Sequence, residues 1–326
     1  MHDTSPDTTR PATDAGLFDF ALGEFALTEF APAKINLALH AIGQRTDGYH
    51  LLDSIVTFTA AAASGRDDAA PPAGDRLGFA LSDKDVFSIS GRFGEGLSPD
   101  PDSNQQNLVL KARDMLRAVL AAKGMAAPSV AIHLQKNLPI ASGIGGGSAD
   151  AAATLRGLSR LWDDGLNETE LSSLGLSLGA DVPMCLKSQP LAAKGIGEDI
   201  TILDTMPCFA IVLGNPLRGV STPDIFRRLT NKNNPTIPAL TGDWHADLGA
   251  LRNDLEPPAR SLVAEIAELS GMIAAEGAWL TRMSGSGATC FGLFETSAEA
   301  SQAAANLQRK RPDWYFAAAQ TIGAEK

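Results

Sequence analysis

Lys34 and Asn36 in "PAKINL", Tyr49 and His50 in "DGYH", Asp181 in "GADVP" and the glycine run "SGIGGGS" are the residues whose types and spacing can do chemistry. From Gly143 to Gly147 four of five positions are glycine, and helix-forming sequence follows at once. The start of a helix leaves backbone N–H groups unpartnered at the positive end of the helix dipole, which suits phosphate. Glycine lets the backbone approach the oxygens closely and adopt positive φ. Ser148 is a candidate N-cap, and its hydroxyl could also face phosphate or Mg2+. A Walker loop is excluded because Ser148–Ala149 follows Gly147 with no lysine, and a dinucleotide fingerprint because residue 148 is not glycine. A flexible connector has similar composition. It would not be flanked so tightly by an apolar strand and an amphipathic helix.

Lys34 and Asn36 alternate with Ile35 and Leu37, so on a strand both polar side chains share one face, ordinarily the solvent face. Tyr49 and His50 follow a turn, in a chain with only 2 tyrosines. Such a pair can stack on and hydrogen-bond a base, or serve as a half-buried structural pair. Asp181 stands before Val182–Pro183, where proline cannot continue the preceding hydrogen-bond pattern. Its carboxylate is therefore placed at an element junction, where aspartate is also a common capping or turn residue.

The elements that must position these groups alternate between strand and helix. "FALTEFAPAKINLALHAIG" reads as two strands broken by Ala31–Pro32–Ala33, the second alternating Ile35, Leu37, Leu39. "LLDSIVTFTAA" is a third strand, residues 62–74 form a loop, and "RLGFALS" with "VFSISG" predicts a hairpin. "NLVLKARDMLRAVLAAKG" predicts a helix ending at Gly124, and "SVAIHLQKNLP" a strand entering the glycine loop. The following helix carries Ala151, Leu155, Leu158 and Trp162 along one face. From "CFAIVLG" onward come a strand, a helix around "SLVAEIAEL", a second glycine loop "MSGSG", a strand, a helix from Ser297 and a closing strand. That order suggests a separate α+β half. "NKNNPTIPALTGDW" reads as an exposed loop, and there is no internal repeat.

Composition narrows the function classes. A chain of 326 residues, 44% hydrophobic, can bury a sizeable core and favours two domains. Its net charge of −11, without a basic run, argues against nucleic acid as a partner. Three scattered cysteines have no metal-ligand spacing and read as reduced thiols of a cytoplasmic protein. No apolar run reaches the roughly 18–20 residues of a membrane span, so no membrane partner is expected. Residues 1–23 are acidic with a single arginine, match neither a signal nor a transit peptide, and are expected to form a disordered tail.

Taken together, "PAKINLALHAIGQRTDGYHLLDSIV", "LPIASGIGGGSADAAATL", "LGLSLGADVPMCL", "GIGE", "GVSTPDIF", "NDLE" and "MSGSGATCFGLF" resemble, in order, the 4-(cytidine 5′-diphospho)-2-C-methyl-D-erythritol kinase family of the GHMP kinase superfamily. The resemblance runs over about residues 30 to 295. The glycine loop is common to the superfamily; "PAKINL" with "DGYH", "GADVP" and "VSTP" is what resembles this member. The resemblance implies an α+β GHMP kinase fold with an N-terminal half like ribosomal S5 domain 2, over residues 24–206, and a C-terminal ferredoxin-like half over 207–326. It implies an ATP loop of Pro139, Ile140, Ala141, Ser142, Gly143, Ile144, Gly145, Gly146, Gly147, Ser148 and Ala149. Asp181 matches the catalytic aspartate and Lys34 the catalytic lysine, with Asn36 near the transferred phosphoryl. Tyr49 and Phe226 match a pair that sandwiches cytosine, His50 a group that hydrogen-bonds its polar edge, and Thr222 a substrate contact. Cys185 departs from the bulky residue common after "DVP", and "NPLRGVSTP" has an extended lead-in. The implied reaction moves the γ-phosphoryl of ATP to the 2-hydroxyl of a small molecule carrying a cytidine diphosphate, in isoprenoid synthesis by the non-mevalonate route. Mg2+ would bridge ATP phosphates with no residue assigned as its ligand, in a monomer or weak homodimer. A different GHMP kinase, a non-catalytic nucleotide binder and a nucleic-acid module on the S5-like half are the other readings. The Tyr49–His50 pair speaks against the first, the Lys34–Asp181 pair against the second and the net charge of −11 against the third.

Overall fold

The break at Ala31–Pro32–Ala33 sends the chain from one sheet into another. The structure is a computed structural model that describes residues 25–61, 73–98 and 107–324. The acidic tail of 1–23 and nearly all of the 62–74 loop lie outside the described residues. β1 (Leu27–Pro32) is the edge of a sheet in which β4 (Gly74–Leu81), β6 (Val130–Gln135) and β5 (Val86–Ser90) follow in that order. Proline is tolerated on such an edge because no ladder bond is lost. β2 (Lys34–Gln44) pairs instead with β3 (His50–Phe58), followed by β7 (Leu191–Gly195) and β8 (Asp199–Ile202).

The expected hairpin of the 76–82 and 86–91 segments does not form. β6 lies between them, antiparallel to β4 and parallel to β5. β6 carries Val130, Ile132 and Leu134, all buried, and such an apolar strand belongs in the middle of a sheet. Helix α1 (Leu108–Ala122), capped by the Asn107 side chain on the Val109 amide, packs on α2 (Gly146–Trp162). α2 is buried on nearly all sides, not along one face, because it lies against β1 and β4 and is covered by α1, α3 (Glu168–Leu178) and α4 (Val182–Lys187). Its alanines allow that close fit, and at Gly157 a Cβ would sit 2.3 Å from the Phe79 ring.

The C-terminal half holds β9 (Ala210–Asn215), α5 (Thr222–Arg228), α6 (Trp244–Ala250), α7 (Glu256–Leu262), α8 (Glu265–Ala275), β10 (Leu280–Met283), β11 (Cys290–Phe294), α9 (Ser297–Lys310) and β12 (Tyr315–Gln320). The strands form an antiparallel sheet in the order β10-β11-β9-β12, the ferredoxin-like arrangement. The single helix expected around 261–269 is two helices. The backbone turns extended at Val263, and Pro257–Pro258 starts α7 independently. The 231–244 loop is exposed but tied down: Ala41 O accepts from the Asn234 amide at 3.0 Å, and the Ile237 amide donates to Asp53 at 3.0 Å.

β2 belongs to both halves. Ile35 and Leu37 pack with Ile211, Leu213 and Phe291, while Leu39 and Ala41 pack with Ile225, Leu255 and Ile266. The expected Ile35–Leu37–Leu39 alternation is broken by a bulge, since Asn36 pairs with Val56 but Ala38 with Ile55. One extra residue reverses the facing of the residues that follow, up to a second bulge between Ala41 and Gly43. Leu39 therefore joins Lys34 and Asn36 on the face that lines the cleft described next.

Candidate active site

β6 delivers the chain to Lys136, and two successive amides, Asn137 and Leu138, donate to Asp75 Oδ1 at 2.6 and 2.8 Å. Beyond that anchor Ala141, Gly143 and Gly145 are all left-handed, with φ of 50°, 77° and 64°. Gly145 occupies the N-cap position of α2 and caps with no side chain; Ser148 is the third helical residue, not the N-cap. The left-handed glycine lets the helix begin two residues before the serine. Among the described residues the amides of Gly143 through Ser148 hydrogen-bond to nothing. That is a row of donors at the positive end of a 17-residue helix, opening on a cleft of about 700 Å³.

The second glycine loop, Met283–Gly287, packs back to back with the first. A Cβ on Gly143 would lie 2.6 Å from the carbonyl oxygens of Gly287 and Ser284. Ser284 Oγ donates to Gly143 O and accepts from the Asn36 amide, both at 3.1 Å, and the Thr289 amide donates to Ser142 O at 3.1 Å. The Lys34 amide donates to Ile144 O at 2.9 Å. Strand β2 and both loops thus form one hydrogen-bonded unit.

Lys34 and Asp181 meet across the cleft floor. Lys34 Nζ lies 2.6 Å from Asp181 Oδ2 although 147 positions separate them. Asp181 stands at the N-cap of α4 but caps no amide, so its carboxylate serves the lysine instead. The lysine side chain is 6% exposed and the aspartate 38%, which leaves the carboxylate reachable by a ligand. Behind the loop, Lys136 reaches Asp75 at 2.5 Å and Asp150 at 2.6 Å, all three deeply buried. Burial pushes Asp150 up, since one ammonium cannot hold two desolvated carboxylates ionised. Against the same burial, Asp150 and Asp75 raise Lys136.

At the opposite end, Tyr49 stands 60% exposed on the cleft rim. The ring stacked on Phe226 is that of His50, with centroids 4.4 Å apart and planes at 19°. His50 Nε2 is buried with no partner among the described residues. Burial, and then the charge of Lys232, lowers the pKa of His50 and keeps the imidazole neutral. Thr222 Oγ1 lies 2.8 Å from Ser286 Oγ, at the tip of the second glycine loop.

All the residues expected from sequence at the two ends, Lys34, Asn36, Tyr49, Asp181, Thr222 and Phe226, line this one cleft, and His50 stands behind it on Phe226. Sequence reasoning missed Ser284 and Ser286, although "MSGSG" was legible as a loop, and it missed Asn107. Asn107 caps α1 with its oxygen and leaves a buried Nδ2 unpartnered at the cleft wall. Its only signal is its place before a helix.

Two family models match the chain, the GHMP kinases N terminal domain over residues 107–189 and the GHMP kinases C terminal over residues 237–313. A 4-diphosphocytidyl-2-C-methyl-D-erythritol kinase from Rhizobium leguminosarum bv. trifolii (strain WSM2304) is 60% identical over 297 residues, 90% of this chain and 94% of that protein. The crystal structure of a 4-(cytidine 5′-diphospho)-2C-methyl-D-erythritol kinase matches with a TM-score of 0.72 at 30% identity, covering 91% of this chain and all of that one (100%). A homoserine kinase from Cytophaga hutchinsonii shares the fold, with a TM-score of 0.61 at 19% identity over 92% of this chain and 95% of its own.

Proposed function

The chain belongs to the 4-diphosphocytidyl-2-C-methyl-D-erythritol kinases within the GHMP kinases, and from that premise we propose how its cleft performs the reaction. The protein is an ATP-dependent kinase that phosphorylates 4-diphosphocytidyl-2-C-methyl-D-erythritol in isoprenoid synthesis. The Lys34–Asp181 pair beside the phosphate-facing amides carries the assignment of roles. A tertiary alcohol such as the 2-hydroxyl is a poor nucleophile while protonated, and Asp181 takes its proton as it attacks the γ-phosphorus, whose bond to the β-phosphate oxygen breaks to release ADP. Lys34 holds the carboxylate in place and offsets negative charge on the transferring group. The amides of Gly143 to Ser148 bind the nucleotide phosphates, so an acidic protein needs no basic surface to do so.

The cleft suits Mg2+ through hard oxygen donors only. The described residues hold no cluster of three or more His, Cys, Asp or Glu, so the ion would be held by phosphate oxygens and the Ser148 hydroxyl. When bound, it supplies charge neutralisation at the phosphates. Among the described residues no helix is long and apolar enough to cross a membrane, and the cytoplasm is the compartment we infer.

Cytosine is read at the other end. A neutral imidazole with an unpartnered nitrogen can pair with a base edge, and Tyr49 and Phe226 offer aromatic faces beside it. Homoserine and mevalonate have no base for these groups to meet. Base stacking is worth about 1–3 kcal/mol, and a buried hydrogen bond lost costs a similar amount. Tyr49→Ala and His50→Ala should each raise KM for the cytidine substrate about tenfold or more, with KM for ATP nearly unchanged. Equal damage to both KM values, with a lowered Tm, would make the pair structural. ATP consumption with the cytidine diphosphate substrate, set against homoserine and mevalonate, tests the assignment as a whole.

A further inference from the structure

Asn36 is a buried amide with one satisfied end. Its Nδ2 lies 2.7 Å from Ser54 Oγ, while its Oδ1 is buried without a partner among the described residues. Ser54 Oγ also lies 2.6 Å from Ala38 O, a carbonyl just past the bulge in β2. A carbonyl only accepts, so the single hydroxyl proton of Ser54 goes to Ala38. What remains on Ser54 Oγ is acceptor capacity, and the group facing it must be a donor. That requirement selects one of the two orientations of the Asn36 amide. Flipped, Asn36 Oδ1 would face an oxygen with no proton to give, two acceptors in contact inside a buried site.

We propose that Ser54 is a positioning residue for phosphoryl transfer: by taking the Asn36 NH2, it commits Asn36 Oδ1 to face the substrate as an acceptor. This rests on the reading that Asn36 meets substrate. Asn36 lines the cleft, and the second glycine loop runs past its oxygen at Gly285, where a Cβ would lie 3.4 Å away. The Asn36 backbone is fixed by Ser284, so the side chain is the only part left to orient. An acceptor there repels phosphoryl oxygens and welcomes an O–H. Asn36 therefore recognises an alcohol of the acceptor substrate, beside the hydroxyl that Asp181 deprotonates, and not the phosphoryl group. Strand geometry supplies the contact: Asn36 pairs with Val56, and Ser54 stands two residues along β3 on that same face.

Ser54→Thr and Ser54→Val have nearly the same shape and differ in the hydroxyl. kcat, both KM values and Tm are measured for these two, for Asn36→Ala, and for Asn36→Ala combined with Ser54→Val. Ser54→Thr should keep kcat near that of the unmodified protein, while Ser54→Val loses roughly tenfold, with KM for ATP unchanged. In the Asn36→Ala background Ser54→Val should cost nothing further. Equal kcat for the threonine and valine variants overturns the proposal, as does a Ser54→Val penalty that persists when Asn36 is gone. A neutral Asn36→Ala removes the underlying reading of Asn36, a separate failure seen in that variant alone.

Discussion

Asp181→Asn lowers kcat by about 10²–10⁴-fold while ATP binds as before. Asparagine keeps the size of the side chain and an oxygen for Lys34 Nζ, now 2.6 Å from the carboxylate, but it cannot take a proton at neutral pH. The proposed nucleotide contacts are backbone amides of Gly143 to Ser148, none of which the substitution alters, so affinity for ATP measured by titration should stay within about twofold. That split matters because a loss of both would indicate that the Lys34–Asp181 pair holds the cleft together. Near-normal turnover in a folded Asp181→Asn protein would remove Asp181 from the role of base.

A single added methyl at Gly143 should be nearly as damaging. Gly143 has φ of 77°, and an L side chain in that region costs about 1–2 kcal/mol. The new Cβ would also meet the carbonyls of Gly287 and Ser284 at 2.6 Å, and these are backbone atoms that cannot swing aside. Moving them shifts Ser284, and with it the Asn36 amide and Gly143 O. Displacement of about 1 Å at a reacting centre is worth on the order of 10²-fold in rate. Gly143→Ala should therefore lose about that much in kcat/KM for ATP and also lower Tm. Gly249→Ala is the control: it lies within α6 with nothing inside 4 Å of the added Cβ. Normal kinetics in Gly143→Ala would mean that the two loops are not coupled.

The local signals were legible in the sequence and the long-range ones were not. A glycine run before a helix, a lysine and an asparagine on alternate strand positions, and an aspartate before proline each depend on a few neighbouring residues. Their meeting in one cleft follows only from the family resemblance, since each motif alone also fits a solvent face, a connector or a cap. The strand–helix order of the C-terminal half was equally open to reading, and it forms the ferredoxin-like sheet. Strand partners are a different matter. Nothing in "RLGFALS" or "VFSISG" says that residues 130–135 will come between them. The bulge at Leu37 is likewise invisible, because β2 is buried on both faces and its sequence alternates like an unbroken strand. Ser148 looked like a cap by residue type, and the left-handed turn at Gly145 took that place. Ser54 and Ser284 escaped for the plainest reason. A lone serine has no pattern, and its meaning arises only from what lies opposite it.

The interlocked loops also bear on how the enzyme is made. The first loop's carbonyl at Gly143 is held by a serine 141 positions later in the chain. A ribosome releases the chain from the N-terminus, and domains generally fold as they emerge. When α2 is already complete, Ser284 has yet to be synthesised, and so have Gly285 and Gly287. The loop that carries the six amides unpartnered among the described residues gains its backing only after the last quarter of the chain has arrived and docked. Nascent protein therefore passes through most of its synthesis with the first glycine loop unsupported by the second.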